Sequence, residues 1–400
     1  FHLSAFLQLN SMLLAILAAF LLVLIAVLTW QVGKLHELFK QNGTAPETLE
    51  KLALARNFSL FALTLITVFL LAAVYFLIQN TPWEGHFFEW LNLLVRWFHV
   101  TIGIAWIGAS FYFVFLENSL NRTKNLRPEL AGNLWAVHGG GFYYLEKYKV
   151  APEKIPAELH WFKYEAYFTW ISGVALLFIV YYFNAGAMLI DKNIAAISTG
   201  AGILIGIGSM LVGWFIYDML CKTPLVKTGI WFAFLGFILS AALAWFLTHI
   251  FNSRAAYIHF GAVLGTLMAG NVFFVIIPSQ KAMVKAAKEG KPLDPALGKH
   301  AGLRSLHNNY LTLPVLFVMI SNHFPSTFGH GWNWAILAAI ALASAIIKHF
   351  HNLYEKGQTA VWLLPLGFGM LLALVFVTAP EMNKGACKEQ VSFAQIHAIL

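Results

Sequence analysis

The sequence has few charged residues, and this scarcity excludes most soluble folds. Only 11% of its 400 residues are Asp, Glu, Lys or Arg, whereas a soluble domain carries about 25%. Hydrophobic residues make up 59% of the chain, and its mean hydropathy is +0.69. A water-soluble globule cannot bury so much apolar surface, so the sequence predicts a chain that is largely solvated by lipid. The same composition excludes an intrinsically disordered or collagen-like protein.

Cysteine and the common catalytic motifs are also scarce or absent. The two cysteines, Cys221 and Cys387, lie in no CxxC and cannot form a disulfide framework. The sequence contains no GxGxxG, Walker lysine, HExxH or nucleophile elbow, so nucleotide binding, zinc proteolysis and hydrolase chemistry have no support. The net charge of +8 does not indicate nucleic acid, because in a membrane protein the placement of charge matters more than its sum.

Apolar stretches of membrane-spanning length are what the sequence does contain. They predict an all-α, polytopic transmembrane helix bundle of about ten spans in the bilayer. The predicted spans are 10–32, 58–79, 91–116, 164–184, 194–217, 229–249, 256–278, 304–321, 333–350 and 361–379.

Basic residues alternate between the loops and predict the orientation. Of the 26 Lys and Arg residues, 21 fall in alternate loops on one side, which the positive-inside rule assigns to the cytoplasm. Both termini are therefore predicted to face away from the cytoplasm, on the outer side of a multi-pass membrane protein. The longest soluble segment, 118–163, is predicted to be cytoplasmic and amphipathic, and it is too short for an independent domain.

Histidines near span ends are the most prominent polar feature. Four lie near the predicted outer ends of different spans: His99, His249, His259 and His323. Four lie toward the cytoplasmic side: His138, His307, His349 and His351. Two layers of histidines on separate helices could bind haem or another redox metal, relay protons, or recognise a planar polar substrate. The alternative is that most of them are interfacial residues with hydrated imidazoles.

Polar residues inside two spans form further candidate sites. In the third span, one helical stripe is predicted to face the bundle interior, either as a ligand wall or as a helix–helix seam. This stripe comprises His99, Gly103, Trp106, Ser110 and Glu117. The eighth span opens on a polar cluster that either reads the edge of a heterocycle or caps a helix broken at Pro314. This cluster comprises Arg304, His307, Asn308 and Asn309.

Glycines suggest three close approaches. The three glycines after His138 suit either a ligand that approaches the backbone or a sharp turn. Two GxxxG pairs, Gly202 with Gly206 and Gly261 with Gly265, predict close helix packing.

Several motifs together resemble the membrane-bound urate oxidase family, the bacterial cytochrome c-coupled urate hydroxylases. They are RWFHVTIGIAWIGASFYF, VHGGGFY, THIFNSRAAYIHFGAVLGTLMAGNVFFVIIPSQ, PLDPALGK and RSLHNNYLTLPVLFVMISNHFP. The resemblance covers roughly residues 88–380 and implies a membrane domain of about eight helices there. Residues 1–87 are then two extra N-terminal transmembrane helices.

The resemblance implies oxidation of urate to 5-hydroxyisourate, with electrons passed to cytochrome c rather than to O2. In that family a c-type cytochrome domain carrying haem c follows the membrane domain. Residues 381–400 are accordingly expected to be an outer tail that leads into such a domain, although no CxxCH occurs in this sequence. The resemblance also implies a multi-pass protein of the bacterial inner membrane, with both termini on the periplasmic side. A respiratory-chain partner is also expected, and a nucleic-acid partner is not.

Urate is a planar anion, so its site requires a cation or an imidazolium, amide donors and a general base. The sequence offers two such sites: Arg304, His307 and Asn308 on the cytoplasmic side, or His99, His249, His259 and His323 on the outer side. The predicted catalytic residues are His307, Arg304, Asn308 and His259. Haem b, if present, is predicted on intramembrane histidines. The predicted cofactor-binding residues are His99, His249, His323 and His349. Two other functions stay open on the sequence: a haem b-carrying or quinol-contacting electron-transfer subunit of a respiratory complex, and a transporter.

Overall fold

The structure is a computed structural model that describes most of the chain. It describes residues 23, 26–35, 37, 39, 46–123, 125–152, 154–156 and 159–379. Most of the predicted first span, 10–32, and the predicted outer tail, 381–400, lie outside the described residues. Cys387 lies in that tail.

The chain divides into two compact units, residues 1–94 and 95–400. In the first, helix α1 (Pro46–Ile78) is followed by a tight turn and the start of helix α2 (Pro82–Asn118). The turn is possible because Asn80 adopts a positive φ of 61°. The Glu84 side chain accepts a hydrogen bond from the Asn80 backbone N–H at 2.7 Å, which supports the start of α2.

Long apolar helices confirm the predicted helical bundle. Within the described residues, seven are long and apolar enough to cross a membrane, by length and composition alone. They are Lys51–Phe76, Pro82–Asn118, Tyr164–Tyr182, Thr199–Cys221, Ile230–Thr248, Ser253–Lys288 and Asn333–Glu355. The predicted tenth span corresponds to a shorter apolar helix, Leu363–Val377, and the predicted eighth span to a helix with polar residues in its first half. The count of ten spans and the orientation stay predictions.

The second unit contains the remaining helices and a hairpin. In chain order its described helices after α2 are α3 (Tyr164–Leu176), α4 (Ala185–Met188), α5 (Thr199–Lys222), α6 (Ile230–Thr248), α7 (Ser253–Gly270), α8 (Ile277–Lys288), α9 (Pro295–Ser321), α10 (Pro325–Phe328), α11 (Asn333–Glu355) and α12 (Leu363–Val377). A 3-10 turn, Pro224–Thr228, joins α5 to α6.

Helix α7 is the central element of this unit. It packs against α5, α6, α9 and α3, and most of its side chains are buried. Small residues permit these contacts: a Cβ on Gly206 of α5 would lie 2.9 Å from His259 of α7, and one on Gly261 would overlap Val318 of α9. Gly202 instead lies against Ile190, which follows α4. A Cβ on Gly265 would meet nothing within 4 Å, so only Gly261 of that predicted pair provides a close approach.

In the part of the chain that the structure describes, two π-helices interrupt the regular helices, and both carry polar side chains into the core. The first, Leu177–Tyr182, continues α3, and the second, Asn271–Ile276, joins α7 to α8. A π-helix inserts an extra residue into the turn and rotates the following side chains, and such turns are frequent at functional sites. The first contributes Tyr182 and the second contributes Asn271, and both of these side chains hydrogen-bond to other helices.

Segment 118–163, for which the sequence predicted no secondary structure, contains a β-hairpin. Strand β1 (Leu130–His138) pairs antiparallel with β2 (Gly141–Tyr148). Gly139 and Gly140 have φ of +57° and +79°, as a two-residue hairpin turn with two left-handed positions requires. Gly139 and Gly140 therefore form a turn, and no heavy atom lies within 4 Å of where their Cβ atoms would be.

Candidate functional site

A buried guanidinium, that of Arg304 on α9, is the centre of a polar network inside the bundle. Its Nη1 donates to Asn271 Oδ1 at 3.1 Å, and its Nη2 donates to Asp218 Oδ1 at 2.6 Å. The other oxygen of Asp218 contacts the Lys222 ammonium at 2.7 Å. The side chain of Arg304 is only 7% exposed. Because both neighbours are acceptors, its charge and its orientation are fixed by the fold.

Asn271 connects three helices. Its Nδ2 donates to Asn308 Oδ1 at 2.8 Å and to the Tyr217 hydroxyl at 2.9 Å. Asn308 in turn donates to the carbonyl of Met268 at 3.0 Å. The π-helix that starts at Asn271 places this amide between α5 and α9, and every polar atom of the side chain is used.

His307 completes the network. Its Nδ1 lies 2.8 Å from the Tyr217 hydroxyl, and its ring stacks on Phe232 with the centroids 5.0 Å apart. The direction of this hydrogen bond depends on the His307 tautomer: with the imidazole proton on Nε2, the Tyr217 hydroxyl donates to Nδ1 while its oxygen accepts from Asn271. The Tyr217 ring also lies 5.0 Å from the guanidinium carbon of Arg304.

The structure thus brings together three of the four predicted catalytic residues: Arg304, His307 and Asn308. Neither Asn308 nor Asn309 caps a helix, since α9 runs unbroken through Pro314, so the capping alternative is wrong. The sequence reasoning missed the partners Asp218, Tyr217 and Asn271. A carboxylate inside the apolar helix α5 was the signal that could have found Asp218.

A cavity of about 350 Å³ opens beside this network. Its lining residues are Trp214, Asp218, Cys221, Lys222, Val226, Phe274, Val275, His300, Leu303 and Arg304. Trp214 and Phe274 stack with their ring centroids 5.6 Å apart and form an aromatic wall. The cavity therefore combines a flat apolar wall with two cations and one carboxylate, at a volume typical of small-molecule sites.

His259, the fourth predicted catalytic residue, lies elsewhere. It is fully buried on α7, twelve residues before Asn271, about 18 Å along a helix that rises 1.5 Å per residue. Its Nδ1 donates to the Ala255 carbonyl at 2.8 Å, and its Nε2 lies 3.0 Å from the Tyr182 hydroxyl. Both nitrogens are thus used within the protein, and this imidazole does not line the cavity.

Two predicted cofactor-binding histidines have polar partners on other helices. His99 Nδ1 lies 2.9 Å from Ser172 Oγ, and His349 Nδ1 lies 2.6 Å from the Tyr310 hydroxyl. His99 belongs to the predicted polar stripe of the third span, where Trp106 and Ser110 line a second cavity of about 1550 Å³. Most of the stripe therefore faces the protein.

The other two predicted cofactor-binding histidines, His249 and His323, are exposed. Among the described residues, no contact joins any two of the four, and no group of three His, Cys, Asp or Glu is arranged to hold a metal. The residues as placed do not form a bis-histidine haem site, so internal haem b stays a prediction.

The comparisons with known proteins identify a family over most of the chain. The family described as "Urate oxidase N-terminal" matches residues 85–379, about three quarters of the chain. No curated protein and no solved structure matches the chain.

Proposed function

The chain belongs to the urate oxidase N-terminal family, and on this premise we propose that it is an integral-membrane oxidoreductase that oxidises urate to 5-hydroxyisourate and passes the electrons to cytochrome c. The family supports urate as the substrate. The product, the acceptor and the membrane location are part of the proposal.

The observation that carries the proposal is the position of Arg304 at the edge of the smaller cavity. Urate is a flat anion with alternating N–H and C=O groups. Arg304, oriented by Asp218, supplies a fixed cation and directional donors for such a ligand. The wall formed by Trp214 and Phe274 supplies a surface for stacking. Lys222 adds a second positive charge at the mouth.

The reaction needs a proton acceptor and an electron acceptor. Urate and water give 5-hydroxyisourate, two protons and two electrons. The hydrogen-bonded pair of Tyr217 and His307 lies beside the cavity. A proton released there can be taken up by the Tyr217 oxygen as the hydroxyl proton moves to Nδ1 of His307. Cys221 lies between them and the cavity, with its Sγ 3.9 Å from His307 Nδ1.

The electrons are proposed to leave through cytochrome c, either a domain of the complete protein or a separate partner. Lys222 and the start of α9 fall on the predicted cytoplasmic side, whereas cytochrome c is expected outside a bacterial inner membrane. Electrons then have to cross the bilayer. A haem b carrier or a respiratory-chain partner remains part of the proposal for this step.

The test is anaerobic consumption of urate by membranes that carry the full-length protein, with oxidised cytochrome c as the sole acceptor. The expected result is loss of urate with two equivalents of cytochrome c reduced per urate. Membranes with Arg304→Met are the control and should show neither change. No urate loss by intact wild-type protein would contradict the proposal, and cytochrome reduction without urate loss would favour an electron-transfer subunit.

A further inference from the structure

We infer that Gly270 and Trp214 act as a pair that makes the smaller cavity selective for flat, fully conjugated heterocyclic anions. The inference rests on the proposed function and specifies how that site separates substrate from product. Trp214 forms the aromatic wall together with Phe274, and Gly270, which has no side chain, leaves the space that the Trp214 ring occupies.

The indole ring of Trp214 packs directly on the backbone of Gly270, the last residue of α7. A Cβ added to Gly270 would lie 2.6 Å from Cε3, 2.7 Å from Cζ3 and 2.8 Å from Cδ2 of that ring. Side-chain carbons do not approach so closely, so any larger residue at this position must displace the ring. The next residue is Asn271, which belongs to the polar network. The backbone that contacts the Trp214 ring is therefore continuous with the backbone that positions the network.

The ring has a fixed relation to the charged groups of the site. Trp214 and Asp218 are four residues apart on α5 and so lie on the same helix face. Asp218 holds the Arg304 guanidinium, and Trp214 stacks on Phe274 with an interplanar angle of 29°. One face of α5 therefore sets both the flat wall and the orientation of the cation.

A flat aromatic wall should bind the substrate, urate, more tightly than the product, 5-hydroxyisourate. Urate is conjugated and planar, so its ring can stack against an indole face. In 5-hydroxyisourate the carbon that receives the hydroxyl is tetrahedral, which bends the ring system and reduces its contact with the wall. The pair is thus expected to favour substrate binding and product release, and to affect KM more than kcat.

The experiment compares Gly270→Ala with Gly265→Ala in the full protein. Gly265 lies on the same helix, and a Cβ there would meet nothing within 4 Å. Gly270→Ala should raise the KM for urate about tenfold, the effect of one lost aromatic contact, and change kcat less than twofold. Gly265→Ala should leave both unchanged. An unchanged KM in Gly270→Ala would overturn the inference.

Ligand shape provides the second readout. Inhibition by xanthine, a planar purine, should weaken in Gly270→Ala by the same factor as urate binding. Inhibition by allantoin, whose ring is not planar and conjugated throughout, should not change. Equal weakening for both ligands would show a general loss of the cavity and would contradict the selectivity role.

A double variant separates wall loss from poor folding. Trp214→Leu removes the ring that the alanine methyl would meet, so Gly270→Ala combined with Trp214→Leu should recover the thermal stability lost in Gly270→Ala. Its KM should stay as high as that of Trp214→Leu alone, because the indole part of the wall is missing in both. Recovery of the wild-type KM would overturn the inference.

A binding measurement tests this inference even if the proposed function is wrong. If wild-type protein does not oxidise urate, calorimetric binding of xanthine to wild type, Gly270→Ala and Gly265→Ala still tests the wall. Weaker binding to Gly270→Ala alone would support it, and equal or absent binding throughout would overturn it.

Discussion

The hydroxyl of Tyr217 lies 2.8 Å from Nδ1 of His307 and joins helix α5 to helix α9. The same hydroxyl accepts a hydrogen bond from Asn271, so one oxygen atom holds three segments that are distant in sequence. This contact turns separate polar residues into one connected network beside the smaller cavity.

Removing the hydroxyl with Tyr217→Phe should therefore affect both stability and turnover. Asn271 and His307 each lose a partner, which should cost about 1–3 kcal/mol of stability. If the pair receives the proton, kcat for urate should fall about a hundredfold or more. Thermal unfolding and steady-state kinetics measure the two effects. Tyr144→Phe, at an exposed hairpin tyrosine that bonds Asn133, is the control and should change neither quantity much.

The two cations that contact Asp218, Arg304 and Lys222, should contribute very differently to the stability of the protein. Arg304 is 7% exposed, whereas Lys222 is 64% exposed. Arg304→Met leaves a largely buried carboxylate without its main partner and should destabilise the protein by about 3–5 kcal/mol. Lys222→Met should cost about 0–1 kcal/mol, because exposed ion pairs contribute little. Similar melting temperatures for both variants would contradict this reading of the network.

His307 and His259 should respond differently to alanine substitution. His307→Ala should reduce kcat strongly, since this imidazole belongs to the network at the cavity. His259→Ala should lower thermal stability, because the Tyr182 hydroxyl loses its partner in a packed core. Its kcat per folded molecule should stay near the wild-type value. A greater loss of kcat in His259→Ala would move the active site to the His259 region.

Gly206 should tolerate no side chain. A Cβ there would lie 2.6 Å from the Tyr182 hydroxyl and 2.9 Å from His259 Nε2, whereas one on Gly208 would meet nothing within 4 Å. Gly206→Ala should destabilise the protein by roughly 1–3 kcal/mol through overpacking. Gly208→Ala, on the same helix, should be neutral or slightly stabilising. Melting temperatures of the two variants in one detergent provide the comparison.

Substitution of the hairpin glycines should disturb the turn of the hairpin without affecting urate binding. Gly140 has a positive φ, so Gly140→Ala should strain the turn by about 1–2 kcal/mol. The expected result is faster proteolysis between 135 and 144, with an unchanged KM for urate. Gly141→Ala, where φ is not left-handed, should be cleaved at the wild-type rate. A raised KM without faster proteolysis would instead support a ligand at these glycines.

Much of the architecture follows from the sequence by itself. A chain with so few charges and so much apolar surface is solvated by lipid, where long helices satisfy the backbone hydrogen bonds. The predicted helical bundle is confirmed. Arg304, His307 and Asn308 could be grouped from sequence because five consecutive residues of one helix contain them, and local spacing is sufficient to relate such neighbours.

The tertiary structure decided which distant residues meet. Asp218, Tyr217 and Asn271 join the network only because α5, α7 and α9 pack closely and a π-helix turns Asn271 inward. His259 shares the predicted chemistry of His307 but lies in another part of the core, and the hairpin at Gly139 and Gly140 depends on backbone angles. The physical reason is that hydropathy sets which solvent a helix prefers, whereas contacts between helices depend on shape at single positions such as Gly270, which a one-dimensional pattern does not contain.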